Sequence, residues 1–460
     1  MGTLRSRSAA SLIQGGNLAV VETIVLYVLG IVVIVVGLAV SIGLHEIGHL
    51  VPAKAFGVKV SQYMIGFGPT VFSRTKGETE YGFKAIPMGG YISMSGMFPP
   101  GKAGASRISN TSIFQALVQD ARQASADTID EGEEKRAFYN LPVLKRIVIM
   151  LGGPTMNLII AIVLFGVILS GIGSQQYSTT IGSVSACILP SSATSTTCSS
   201  GAAASPALTA GLKTGDELVS IDGRAVASWA DETTVIRESA GKALTFVIDR
   251  DGVRRTLIVT PATTKGYAVK NGQYVLDSAG KKVVTRVGFV GVTPTIVRVH
   301  APLTAVLPAV GTNIASTAEL IVNLPERLYG VAQAAFGGGA RNANGPISVL
   351  GVARISGQEA AVTTTPIIDR LSVLISLVAS LNIALFVFNM IPLLPLDGGH
   401  IAGAIVEGIR RTFAKIFKRQ DPGHVDTAKL IPLTFGVVIL LGAMSVLLVY
   451  ADIVNPVKIG

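Results

Sequence analysis

An apolar run from Thr23 to Leu44 continues without a break into Ser41-Ile-Gly-Leu-His-Glu-Ile-Gly-His-Leu50. A run of that length is enough to cross a bilayer as a helix. Ionisable groups buried at the end of such a run are costly, so they mark a functional site. Here they are His45, Glu46 and His49. Helical positions i and i+4 lie on one face, one turn apart, so His45 and His49 can offer two imidazoles to one zinc ion. Glu46 stands beside them as a candidate general base for water. The same five-residue pattern in a soluble amphipathic helix could be an accident, but there it would carry no burial cost to explain.

Composition supports a membrane setting. Of 460 residues, 49% are hydrophobic and only 14% charged, which places the chain among polytopic integral membrane proteins. The formal net charge of +10 then points to cytoplasmic loops beside anionic lipid. No basic stretch is interleaved with aromatic residues, so nucleic acid is excluded as a partner.

The rest of the chain divides by pattern. Residues 1–22 read as a polar N-terminal tail and 23–51 as a first span; the run exceeds a signal-peptide core and no A-x-A site closes it. Residues 52–141 form a mixed region whose alternating stretch Tyr81 to Ser95 predicts a β-hairpin, followed by a polar surface segment with one amphipathic helix. Residues 147–172 give a second span that opens on Gly152-Gly-Pro-Thr-Met-Asn157, where Asn157 could bond across helices or simply pack. Residues 173–295 turn polar and β-rich, and Ser205 to Gly223 resembles the core signature of PDZ domains. Cys187 and Cys198 lie in this part, as a disulfide or as two free thiols. Residues 296–370 read equally as amphipathic helices on the membrane or as packing segments. Residues 371–400 are a third span running into Leu396-Asp-Gly-Gly-His400, 401–429 a basic loop, 430–450 a fourth span and 451–460 a C-terminal tail.

Arg410, Arg411, Lys415, Lys418 and Arg419 place the last loop in the cytoplasm by the positive-inside rule. With four spans, the β-rich domain is then extracytoplasmic and 52–141 cytoplasmic. The first and third spans run in the same direction, so His45, His49 and Asp397 lie at one depth near the cytoplasmic face. Asp397 or His400 can supply the third ligand, leaving a fourth position open, as in catalytic zinc sites. Strand addition beside the predicted hairpin would hold an unwound substrate, which makes Tyr81, Phe83, Ala85, Gly89, Gly90, Tyr91 and Ile92 candidate substrate-binding residues.

On these motifs the chain resembles the site-2 intramembrane metalloproteases, and among them the RseP-like bacterial branch that carries a PDZ domain. The resemblance rests on HEIGH at 45–49, the Tyr81 to Met97 stretch, Gly153-Pro-x-x-Asn157, the PDZ signature, and Asn389 eight residues before Asp397. It implies a fold of four transmembrane helices with an extracytoplasmic PDZ domain and a membrane-associated β-hairpin. It further implies a bacterial inner-membrane protease holding one zinc on His45, His49 and Asp397, with Glu46 activating water and Asn389 helping to position substrate. His400 then becomes a supporting residue behind the ligands. Transmembrane substrates such as trimmed anti-sigma factors and remnant signal peptides would be its partners. The chain departs from that branch in showing one PDZ signature where RseP has two, and in the Ser/Thr-rich insert around Cys187. Two other readings are a catalytically silent membrane adaptor on the same scaffold, which the intact His45, Glu46, His49 and Asp397 disfavour, and a metal transporter, which would show internal repeats.

Overall fold

The computed structural model describes residues 4–100, 113–188, 198, 201–270, 273–275, 282–339, 341–342 and 345–457. The chain divides into two compact units, one made of residues 1–172 and 301–460, the other of 173–300.

The first unit opens with α1 (Leu4–Ala55), which begins inside the stretch expected to be a tail. From Val20 to Val40 its Val, Ile and Leu side chains are largely exposed, as suits a helix whose solvent is lipid. Strands β1 (Val60–Lys76) and β2 (Thr79–Met94) follow as a hairpin that folds back on itself. Residues Gln62–Ile65 lie between Gly90–Ser93 on one side and Glu80–Phe83 on the other, and the latter also pairs with Phe72–Thr75. Gly90–Ser93 is therefore an outer length of this small sheet. Next come α2 (Ile113–Ala126) and α3 (Val143–Gly166), the latter extended by a π-helical turn to Ile172.

α3 crosses α1 at unusually close range. A Cβ on Gly152 would fall 1.9 Å from the Gly48 carbonyl oxygen, and one on Gly48 would fall 2.2 Å from that of Gly152. Only a glycine pair allows this approach, the small-residue device by which helices meet in lipid. Beneath the crossing, Leu50, Ala53, Val60, Phe138, Ile149 and Met150 form the unit's largest buried cluster.

The second unit contains β3 (Ser174–Val184), α4 (Pro206–Ala210), β4 (Glu217–Ile221), β5 (Arg224–Ala225), α5 (Trp229–Glu238), β6 (Leu244–Arg250) and β7 (Val253–Val259). These are followed by β8 (Ala262–Tyr267), the short pair β9 (Val269–Lys270) and β10 (Gln273–Tyr274), β11 (Val284–Phe289) and β12 (Val292–Val299). The main sheet has the order β12-β3-β4-β6-β7, and β11 pairs with β8 separately. Its core gathers Ile181, Leu218, Ile221, Phe246, Ile248 and Val259, the inward residues of alternating strands. Ser205 caps α4, and Asp216 accepts from the Lys213 N–H and pairs with Arg250, so the Ser205 to Gly223 stretch forms a helix, a turn and a strand. Cys187 and Cys198 are joined as a disulfide.

The chain then returns to the first unit with α6 (Val306–Val322), α7 (Leu324–Gly337), α8 (Val349–Ala361), α9 (Ile367–Asn389), α10 (Asp397–Ile416) and α11 (Ile431–Val454). Among the described residues five helices, not the expected four, are long and apolar enough to cross a membrane. The additional one is Leu303–Val322. Its polar residues conceal it in the sequence, but they bond within the helix: Thr312 donates to Pro308, Asn313 to Ala309 and Thr317 to Asn313. Such back-bonding lowers the penalty of polar groups at membrane depth.

Candidate metal centre

α1 and α9 run in parallel. A Cβ on Gly37 would fall 2.9 Å from the Val378 side chain, and one turn along Asn382 Nδ2 donates to Ser41 Oγ at 2.8 Å. The end of α1 therefore lies beside the end of α9, where Pro392 and Pro395 break the helix and Asp397 starts α10. Histidines from one helix and the acid from the other meet there. His45 Nε2 lies 3.3 Å and His49 Nε2 3.4 Å from Asp397 Oδ2, and the two nitrogens are 3.2 Å apart.

That triangle suits one zinc ion. Bonds of about 2.0–2.1 Å at tetrahedral angles put neighbouring ligand atoms about 3.3 Å apart, which matches all three edges. Asp397 Oδ2 is also buried without a hydrogen-bond partner, an acceptor that a cation would satisfy. Among the described residues these three form the one group with metal-binding spacing.

The histidines are oriented from behind, as metal ligands are. His49 Nδ1–H donates to the Ile149 carbonyl at 2.7 Å, which leaves Nε2 with its lone pair toward the metal position. His45 Nδ1 is 3.0 Å from the side-chain amide of Asn157, which is fully buried with its Oδ1 unpartnered. Rotating that amide by half a turn places Oδ1 on the Nδ1–H that a metal-binding His45 must carry, and satisfies both groups. Gly153 completes the back wall: a Cβ there would lie 2.2 Å from His49 Nε2 and 2.7 Å from His45 Nε2.

In front of the metal position is a cavity of about 220 Å³ whose lining includes Glu46, Gly90, Tyr91, Ile92, Met97 and His400. Glu46 is buried, and Gly90 of β2 lies against it; a Cβ on Gly90 would fall 3.2 Å from Glu46 Cγ. His400 stands outside the ligand triangle, between the rings of Phe98 and Phe138 at 6.0 and 6.5 Å. It also borders a neck of about 10 Å³, room for a single water, which it shares with Met97 and Tyr139.

Of the other residues expected from sequence, Gly90, Tyr91 and Ile92 line the cavity, whereas Tyr81, Phe83, Ala85 and Gly89 do not. The doubled hairpin explains the division: Tyr81 and Phe83 belong to the inner length, one strand removed from the site. Tyr81 accepts from Lys54 Nζ at 2.9 Å, Phe83 and Ala85 are exposed, and Gly89 packs on the Phe67 ring. Asn389 is the last residue of α9, half-buried and outside the cavity lining. Ser41, Asn382 and the Ile149 carbonyl support the site without having been singled out in the sequence, and Gly153, noted there only within the Gly153-Pro-x-x-Asn157 motif, had been given no role. Asn382 carried a usable signal as an amide inside an apolar span, and Gly152-Gly153 carried one as a close-approach motif.

A model of peptidase family M50 matches residues 33–420. The zinc metalloprotease Rip1 of Mycobacterium tuberculosis strain H37Rv is 30% identical over 461 residues, covering 94% of this chain and 99% of the relative. Rip1 of Mycolicibacterium smegmatis is 32% identical over 447 residues, with 94% and 98% covered. The metalloprotease MmpA of Caulobacter vibrioides is 25% identical over 386 residues, with 81% and 85% covered.

Proposed function

The chain belongs to peptidase family M50, and from that premise we propose how its residues hydrolyse a peptide bond within the membrane, and on what. It is an intramembrane site-2 zinc metalloprotease, a multi-pass membrane protein with one zinc ion. The observation that carries the mechanism is the triangle of His45, His49 and Asp397 at the joined ends of α1 and α9, with Glu46 buried beside it.

His45, His49 and Asp397 would hold the metal, each offering one of the atoms of the triangle. When bound, zinc supplies Lewis acidity, easing the deprotonation of water and polarising the scissile carbonyl. Glu46 takes the proton from the water and delivers it to the leaving amine. Asn157 and the Ile149 carbonyl keep both imidazoles in the ligating tautomer. A transmembrane helix must unwind before its carbonyl can be attacked, and each freed backbone group then needs a partner. Gly90–Ser93 supplies such partners by strand addition, since it is paired with β1 on one side and reaches the cavity on the other. Asn389 positions substrate from the end of α9.

The substrates are membrane proteins, specifically trimmed anti-sigma factors and remnant signal peptides. The second unit acts as a PDZ-like chain-end filter on the extracytoplasmic side of a bacterial inner membrane. The Cys187–Cys198 disulfide supports an oxidising compartment for that unit, and the basic run Arg410 to Arg419 supports a cytoplasmic end for the site. The parallel course of α1 and α9 supports a path in which the chain leaving α3 is on the same face when α9 begins, so that Leu303–Val322, though long and apolar enough to cross, adds no net crossing between them. Replacing Glu46→Gln tests the mechanism in reconstituted protein: cleavage of a model transmembrane substrate should fall by at least about a hundredfold with zinc retained. Cleavage at the wild-type rate would remove Glu46 from the role.

A further inference from the structure

Helix α10 starts at Asp397 and carries an apolar face that nothing in the described chain covers. Ile405, Ile409, Phe413 and Ile416 follow one another at helical spacing, with 46%, 62%, 56% and 68% of their surface exposed. Its opposite face is fixed. Glu407, fully buried, pairs with Arg146 of α3 at 2.5 Å and with Arg411 at 3.0 Å, and accepts from the Val425 N–H. The exposed row is therefore held outward and cannot turn into the core.

Arg410, next to Ile409 in the chain, reaches a cavity of about 730 Å³ between α10 and the residues leading into α11, whose lining includes Lys429, Arg122, Asp426, His424 and Asn140. Arg122 is paired with Asp426, and His424 bonds to Glu407. Arg410 and Lys429 have no acidic partner among the described residues. No acidic residue occurs from Gly408 to Gln420, while Lys415, Lys418 and Arg419 add further positive charge.

We propose that α10 is the binding site of an anionic phospholipid, its phosphate headgroup held in the cavity by Arg410 and Lys429 and its acyl chains laid along Ile405, Ile409, Phe413 and Ile416. Unpaired cations in the lining of the cavity, with Arg410 following directly on Ile409 of the uncovered apolar stripe, match the two halves of such a lipid. A second copy of the chain would bring like charges together at the same face. Because Asp397 is the first residue of this helix, the lipid seats the element that carries the third metal ligand.

The test is native mass spectrometry of the full chain in mild detergent, with phosphatidylglycerol or phosphatidylcholine of identical acyl chains added in equal amounts. Wild type should retain phosphatidylglycerol at least about tenfold over phosphatidylcholine, the worth of one charge-assisted contact. Arg410→Gln with Lys429→Gln should bring that ratio close to one. Lys418→Gln with Arg419→Gln, outside the cavity lining, should leave it unchanged. Equal retention of the two lipids by wild type, or equal loss in both double variants, overturns the site. Inorganic phosphate binding in place of phosphatidylglycerol overturns the lipid assignment, as does a lipid-free dimer abolished by the Arg410 and Lys429 changes.

Discussion

Glu232 gives the second unit an unusual dependence on pH. It lies on α5 with 1% of its surface exposed, and neither carboxyl oxygen has a hydrogen-bond partner. Burial pushes its pKa from 4.5 up to about 8. The folded unit therefore keeps a proton that the unfolded chain releases at any pH between those values. By linkage, stability is greatest below the unfolded pKa, falls by about 1.4 kcal/mol per pH unit as pH rises through the window, and levels off above about 8. The full loss is at most about 5 kcal/mol, comparable with the whole stability of a small domain. Asp216 acts in the opposite sense: burial pushes it up, but Arg250 and the Lys213 N–H hold it below its ordinary value, so its contribution is lost only in acid. The assay uses the single tryptophan of the chain, Trp229, three residues before Glu232. Urea titrations of the full chain in micelles, followed by indole fluorescence, should give a midpoint that drops from pH 5 to pH 8 and then holds steady. Glu232→Met removes the titrating group and should flatten the profile while raising the midpoint at pH 8. A midpoint that does not move with pH in wild type, or that moves equally in the variant, would refute the reasoning.

Gly153→Ala introduces a methyl group where only 2.2 Å separates the ideal Cβ from His49 Nε2, so zinc per chain and proteolysis should both collapse while α-helical content is kept. Zinc retained at wild-type level would mean that the back wall yields more than close packing allows. Asn157→Ala should weaken zinc affinity roughly 10- to 100-fold in competition with a chelator, and Asn157→Asp, which keeps an acceptor for His45 Nδ1–H, should recover much of it. Equal losses in the two variants would show that Asn157 only fills space.

The metal position was legible in the sequence because His45, Glu46, His49 and Asp397 are ionisable groups in or beside apolar spans, where no structural economy explains them. Their convergence followed from the parallel direction of the first and third spans. What stayed hidden depends on long-range geometry or on backbone. The Ile149 carbonyl that orients His49 leaves no trace in residue identity. The alternation of Tyr81 to Ser95 announced a hairpin, but not that β1 would lie between its two halves, and that register decides why Tyr91 faces the site while Phe83 does not. Leu303–Val322 was obscured by Thr312, Asn313 and Thr317, whose bonds to the preceding turn only a structure reveals. The uncovered stripe of α10 is periodic in sequence, yet that it faces outward follows from the anchoring of Glu407.

The most direct test of the account is zinc content, measured by elemental analysis of the purified full chain, in Asp397→Ala set against His400→Gln. Asp397→Ala should lose most of its metal and His400→Gln should hold close to one zinc per chain, because Asp397 Oδ2 closes the triangle with both histidines and His400 stands outside it. The reverse pattern, zinc kept without Asp397 and lost without His400, would contradict the metal centre on which the rest is built.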